Sequence, residues 1–166
     1  MEYNLDIFKG NNDSNISYYS EKSIVPLLQN YSNDDYKNGC NWKISHQITI
    51  LENWSTGIYV VELTDLTNSE IHYIPFIVKG RVMKEIVFLA STNTWQAYNN
   101  WGGAGYYSNT YDENISFVPI VSFNRPNKVI NSEFESQHTV DVDILAVRWL
   151  EENNRSYSVI SDYDLH

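Results

Sequence analysis

The stretch IVFLASTNTWQAYNNWGG, Ile86–Gly103, decides how the rest of the chain is read. Its first five residues are continuously apolar, with no alternation, which predicts a strand covered on both faces. The residues after Ala90 change abruptly to Ser, Thr and Asn with two tryptophans and a tyrosine. Asn93 or Thr94 can cap a short helix over Trp95–Asn100, and Gly102 and Gly103 end it. In open α/β sheets the loop at the carboxyl end of a parallel strand is the usual place for ligand contacts. Asn93, Thr94, Gln96, Tyr98 and Asn99 are therefore candidate polar groups, and Trp95 and Trp101 candidate pocket walls.

Two further apolar runs follow, ISFVPIVSF (Ile115–Phe123) and the weaker YSVIS (Tyr157–Ser161). Between them lies VDVDILAVRWLEENN, a helical pattern starting near Asp141 or Asp143. Ile144, Val147 and Leu150 form its apolar stripe, and Arg148, Glu151 and Glu152 face solvent. The early aspartates suit the positive end of the helix dipole. Strand, helix, strand in that order predicts one βαβ unit with parallel strands. So few strands leave apolar faces and edges uncovered, which calls for partners or extra elements.

Upstream, from Trp42 to Gly80, the period is two. KISHQITI alternates Ile44, Ile48 and Ile50 with polar neighbours, imperfectly at His46, and GIYVVELTD and EIHYIPFIVKG are joined by the turn-like LTNS. These runs predict a small antiparallel unit, with Tyr59, Val61 and Leu63 as the better core face and Pro75 on an edge strand or bulge. Residues 1–40 are the least regular. LDIF reads as a short strand, EKSIVPLLQNY as a possible helical turn limited by Pro26, and NYSNDDYKNG as loop. The pattern divides at Gly80 into a mainly β module, residues 1–80, and an α/β domain, residues 81–166.

At 166 residues and 42% hydrophobic, the chain is long enough for one good core or two small domains sharing an interface. Its net charge of −10 repels phosphate backbones, so nucleic acid is not an expected partner. The single cysteine, Cys40, excludes an internal disulfide and a multi-cysteine zinc site. The acidic, polar first residues and the lack of a membrane-length apolar run predict a cytoplasmic protein with no membrane partner.

Candidate chemistry concentrates near the quoted stretch. Arg125, in the string FNRP, follows the second apolar run and can hold an anionic or carbonyl group in a bidentate way. It can equally close the strand end by bonding loop carbonyls. Asp162 and Asp164 sit at the end of the third run, where they can line the same crevice. His46, His72, His138 and His166 have no metal-binding spacing, and His138 with Glu133 and Glu135 reads as a solvated acidic loop. Ser91 and Cys40 lack the glycine-flanked turn of an exposed nucleophile, and the two glycines at 102 and 103 are too few to cradle a phosphate. Thirteen tyrosines and five tryptophans exceed what one small core needs, so some of that surface is expected to make contacts.

The strings TNTWQAYNNWGG, VSFNRP (Val121–Pro126) and VRWLEENNRSYSVISDYDLH resemble the carboxy-terminal domain of the N,N-dimethylformamidase large subunit and its relatives. ENWSTGIYVVELTD, Glu52–Asp65, is similar to the family's stretch leading out of its β module. The resemblance covers about residues 41–166 and none of the first forty. It implies a partial immunoglobulin-like sandwich followed by a flavodoxin- or amidotransferase-like parallel α/β domain, incomplete relative to the family. It also implies a mononuclear iron amidohydrolase whose metal is held by two tyrosines and a glutamate, with Tyr98 in the motif that supplies one tyrosine. Phenolate and carboxylate are hard donors suited to ferric iron, which polarises an amide carbonyl and acidifies bound water.

The departures are specific. Where relatives have SFDRP followed by tyrosine, this chain has Asn124 and Asn127, although Tyr106, Tyr107 or Tyr111 can substitute in principle. The family's glutamate belongs to a later motif, expected on a strand beyond His166. One ligand of three is thus assigned, and the others are expected from a partner chain or a second copy. Two readings follow. The first is a portion or reduced relative of an iron-dependent amidohydrolase acting on a small amide, with Tyr98 as metal ligand and Arg125 and Asn99 as pocket groups. The second is a non-catalytic assembly or binding module that kept the fold and lost the metal site.

Overall fold

The computed structural model describes residues 2–10, 17–109, 118–130 and 139–165. Four strands, β1 (Tyr3–Lys9), β2 (Ser17–Ile24), β3 (Gly57–Asp65) and β4 (Ile71–Val78), form one antiparallel sheet in the order β2-β1-β3-β4. Two more, β5 (Ile86–Ala90) and β8 (Tyr157–Ser161), pair in parallel with Ile86 opposite Tyr157. The architecture is mixed α/β, as the sequence predicts.

The antiparallel sheet has a different membership from the one expected. KISHQITI forms no strand, and the N-terminal β1 and β2 take its place. The backbone around Lys43 is engaged by a side chain: Lys43 N–H donates to Gln29 Oε1 at 2.6 Å, and Gln29 Nε2 donates to Lys43 O at 2.9 Å. Gln29 thus stands in for a neighbouring strand, and Ile44 is left exposed. EKSI belongs to β2 rather than to a helical turn, and the loop NYSNDDYKNG contains one short helix, α1 (Asp35–Asn38).

β3 lies between β1 and β4 and is buried on both faces at its start. Ile58 and Val60 face one hydrophobic cluster and Tyr59 the other, each burial contributing roughly 1.5–3 kcal/mol. The expected core face is therefore only half of the core. The opposite face is covered because β5, β8 and the helix α3 (Val140–Glu152) pack against it. Pro75 lies opposite Val60 on the edge strand β4, where its missing N–H costs no ladder bond.

α3 packs through Val140, Ile144 and Val147, with Leu150 partly buried beside them, while Glu151 and Glu152 are exposed and Arg148 is half-buried. It ends with Asn154 in the left-handed region (φ 52°), a conformation asparagine tolerates. The helix leads into β8, whose parallel partner is β5 and not the expected run Ile115–Phe123, which forms no strand over its described residues 118–123. Residues 118–123 make isolated backbone bonds, Val118 to Tyr106 and Ser122 to Tyr36, and Pro119 has no N–H to offer a ladder. Residues 115–117, Tyr111, the acidic cluster around His138 and His166 lie outside the described residues.

β5 also departs from expectation in its burial. Ile86, Val87 and Leu89 are 40%, 42% and 42% exposed, because the parallel sheet has two strands and α3 reaches only part of it. A cross-link between the two halves comes from Lys9, Glu151 and Tyr157. Lys9 pairs with Glu151, the Tyr157 hydroxyl donates to the same Glu151 oxygen, and the Lys9 ammonium sits 5.7 Å from the Tyr157 ring centre. A Cβ at Gly57 would come within 2.3 Å of the end of the Lys9 side chain, which would have to swing aside to admit it.

Candidate functional site

Directly after β5 the chain turns into α2 (Thr92–Tyr98), then a 3-10 turn over Trp101–Gly103, then a hairpin of β6 (Ala104–Gly105) and β7 (Ser108–Asn109). Ser91 takes the N-cap position, with Asn93 and Thr94 already inside the helix. The first turn is satisfied from elsewhere: Asn93 N–H donates to Asp162 Oδ2 at 2.8 Å. Asp143, in the first turn of α3, accepts from Ser91 N, Ser91 Oγ and Trp95 Nε1, each at 2.9 Å. Trp95 is consequently a buried anchor between the helices and not an open pocket wall. Asp143 was legible only as a dipole partner; its reach to α2 is a tertiary fact.

Arg125 is 8% exposed and uses its whole guanidinium on backbone oxygens. Nε donates to Ser122 O, one terminal nitrogen to Trp101 O (2.8 Å) and Ala104 O (2.7 Å), and the other to Asn99 O (2.9 Å) and Gln96 O (3.4 Å). Burial pulls its pKa down from the ordinary arginine value, with the nearby Cys40 opposing that shift. The Cys40 thiol is itself pushed up, first by burial and then by Asp35.

Asn99 is fully buried and equally committed. Its amide nitrogen donates to Pro126 O at 2.9 Å and to Gln96 Oε1 at 3.3 Å, while its Oδ1 accepts from Trp101 N and Lys128 N. Gly105 lets the Asn99 carbonyl turn toward Arg125, because a Cβ at residue 105 would stand 2.6 Å from that oxygen. The strings TWQAYN and FNRP are thus two halves of one polar knot. The structure brings Asn99 and Arg125 together and spends both on backbone groups, so positioning is what this geometry has them do.

Tyr98 is placed differently. It is 43% exposed at the end of α2, with its ring 4.9 Å from that of Tyr107, which in turn lies 5.0 Å from Tyr106. Tyr106 and Tyr107 form the turn between β6 and β7, and Tyr106 N–H donates to Ala97 O, so the hairpin is held against α2. Three phenol side chains therefore lie in series beside the knot. Asn127, where the resemblance expects tyrosine, accepts from Val129 N in a local turn. Asp164 binds Ser161 N and Oγ and pairs with Lys79, which together hold its carboxyl at about 2; like Asp162 it fastens backbone and is not part of the phenol row.

Among the described residues no group of three or more His, Cys, Asp and Glu side chains converges as a metal centre would require. The phenols are hard donors of the kind the resemblance implies, but with no such group among the described residues these do not by themselves make the implied iron site. No described helix is long and apolar enough to cross a membrane.

A mixed α/β chain with a tyrosine-bearing turn at the carboxyl end of a parallel strand is the class these observations define. The chain belongs to the family described as N,N-dimethylformamidase beta subunit-like, C-terminal, which matches residues 10–166. The match reaches thirty or so residues further toward the N-terminus than the sequence strings do, taking in β2 and the segment after it. No curated protein matches the chain.

Proposed function

We propose that this chain contributes the tyrosine-bearing turn of an iron-dependent hydrolase acting on a small amide C–N bond, with Tyr98 as a metal ligand. The observation that carries this reading is the division of labour within TWQAYN: Gln96 and Asn99 are buried and bound, and Tyr98 stands out at the surface with two further phenols beside it. Asn99 and Arg125 hold the backbone from which Tyr98 projects. The remaining ligands come from a partner chain or a second copy. Support for assembly comes from the apolar surface of the α/β half, where Val142, Leu145 and Trp149 form an exposed row along α3 in addition to the exposed residues of β5.

The test is the iron content of protein purified without a metal-affinity step, with its visible spectrum, before and after Tyr98→Phe. Near-stoichiometric iron with a phenolate band that the substitution removes is the expected result. Iron retained in full by Tyr98→Phe, or none taken up on reconstitution, overturns the assignment and leaves a non-catalytic binding module.

A further inference from the structure

The sheet face that carries Tyr59 is finished unevenly. At one end Trp54, Tyr18 and Phe76 close over Tyr59, with ring centres 5.0, 5.1 and 5.7 Å away. At the other end Leu5, Val61 and Leu63 floor an open groove of about 570 Å³, walled by the rings of Tyr3 and Trp42. That volume lies within the range of small-molecule sites, roughly 300–1,000 Å³. The groove is bordered by the same Gln29-tethered segment that forms no strand: Trp42, Ser45, His46 and Ile48 line it, with Ile48 packed on the Tyr59 cluster.

Among the described residues that line the groove, Asp65 is the acid and there is no lysine or arginine. Thr67 N–H donates to Asp65 Oδ1 at 2.6 Å and helps hold the carboxyl below its ordinary range, so it stays ionised. Two imidazoles, His46 and His72, also line it, and a second carboxylate, Glu21, lies 3.4 Å from the buried His46 Nε2. Burial and then Glu21 push the Tyr3 phenol up, so it adds no charge to the wall. The chain as a whole carries −10, which reinforces attraction of cations into a low-dielectric cleft.

We propose that this groove binds a small organic cation with an apolar body, its ammonium group taken by the Trp42 and Tyr3 rings and the Asp65 carboxylate, and its tail laid on Leu5, Val61 and Leu63. An aromatic face attracts a cation through its quadrupole, a carboxylate adds direct attraction, and an aliphatic floor takes the desolvated remainder. The site is separate from the phenol row and does not depend on the metal assignment.

Calorimetric titration of the full chain with hexyltrimethylammonium, hexanol and hexanoate tests this directly. The cation should bind about ten-fold more tightly than either comparator, a preference in line with combined cation–π and carboxylate attraction. Asp65→Asn, which keeps an acceptor for Thr67 N–H, should remove most of the preference over hexanol, and Trp42→Ala should weaken the cation further. Thermal melts of both variants establish that they fold, and the comparison of three ligands on the unsubstituted chain stands without them. Equal affinity for hexanol and the cation, a preference untouched by Asp65→Asn, or no binding of the cation at millimolar concentration overturns the proposal.

Discussion

The start of β3 and the knot around Arg125 are both buried, and they are held in opposite ways. Ile58 and Val60 lose water on one face of the sheet and the Tyr59 ring on the other, with one hydrogen bond, from the Tyr59 hydroxyl to Ser55 O, added to the apolar burial. Around Arg125 the holding contacts are hydrogen bonds. A guanidinium fixes the carbonyls of Gln96, Asn99, Trp101, Ala104 and Ser122, and Asn99 ties the same loops from the other side. An apolar core tolerates small changes in volume, whereas a hydrogen-bonded knot fails together when one member is lost, since each abandoned buried group bears its own desolvation cost.

The sharpest break in that comparison is Arg125→Ala. It strands five carbonyls and should cost about 4 kcal/mol, at the upper end for single substitutions. Combined with Asn99→Ala in a double-mutant cycle by urea unfolding, the losses should fall short of additivity by about 1 kcal/mol or more, as expected of groups in one network. Additive losses would mean that the two side chains stabilise separate loops. In the core, Ile58→Val should cost about 1 kcal/mol in the same measurement, because a single methylene is removed from a packed site. A loss there as large as that of Arg125→Ala would erase the distinction.

The smallest effect belongs to Asp164, a surface version of the knot's logic. Its folded pKa, about 2, is lower than the ordinary carboxylate value of 3.8, because Lys79 and the Ser161 amide and hydroxyl favour the charged form. A depressed pKa contributes stability that is present above the unfolded value and lost as pH falls through the folded one. Asp164→Asn should therefore lower the melting temperature slightly at neutral pH, with the difference from the parent chain shrinking between about pH 4 and pH 2. A difference independent of pH would show that the carboxylate's charge is not what fastens this turn.

Legibility from sequence followed how local each signal was. The helix over Val140–Glu152 was readable because Ile144, Val147 and Leu150 recur at the helical period and early aspartates mark its start. Pro75 announced an edge strand by lacking an N–H. KISHQITI misled because its alternation is real for three isoleucines but broken at His46, and because a glutamine fourteen residues upstream of Lys43 captured the backbone first. The apolar run at Val118–Phe123 misled for a related reason: hydrophobicity predicts burial, while a strand also needs a neighbour to bond with, and Pro119 helps deny it one.

The site shows the same division. TWQAYN and FNRP stood out in the sequence by their polar and aromatic content at the end of a strand, and by resemblance they marked the family to which the chain belongs. Nothing local distinguished Tyr98 from Asn99, adjacent residues of the same helix end. Only the fold, by bringing residues 122–128 against residues 96–105, buried one and exposed the other.

By itself, then, the sequence determined the class of the protein, its helix, its central strands and the place where polar chemistry gathers, because periodicity and turn chemistry act over a few residues. Tertiary structure alone decided which strands pair, which face of β3 is covered, that Arg125 serves the backbone, and that an acidic aromatic groove opens over β1 and β3. Each of those outcomes depends on which distant backbone group or side chain reaches a partner first, and that competition is not written in any local pattern.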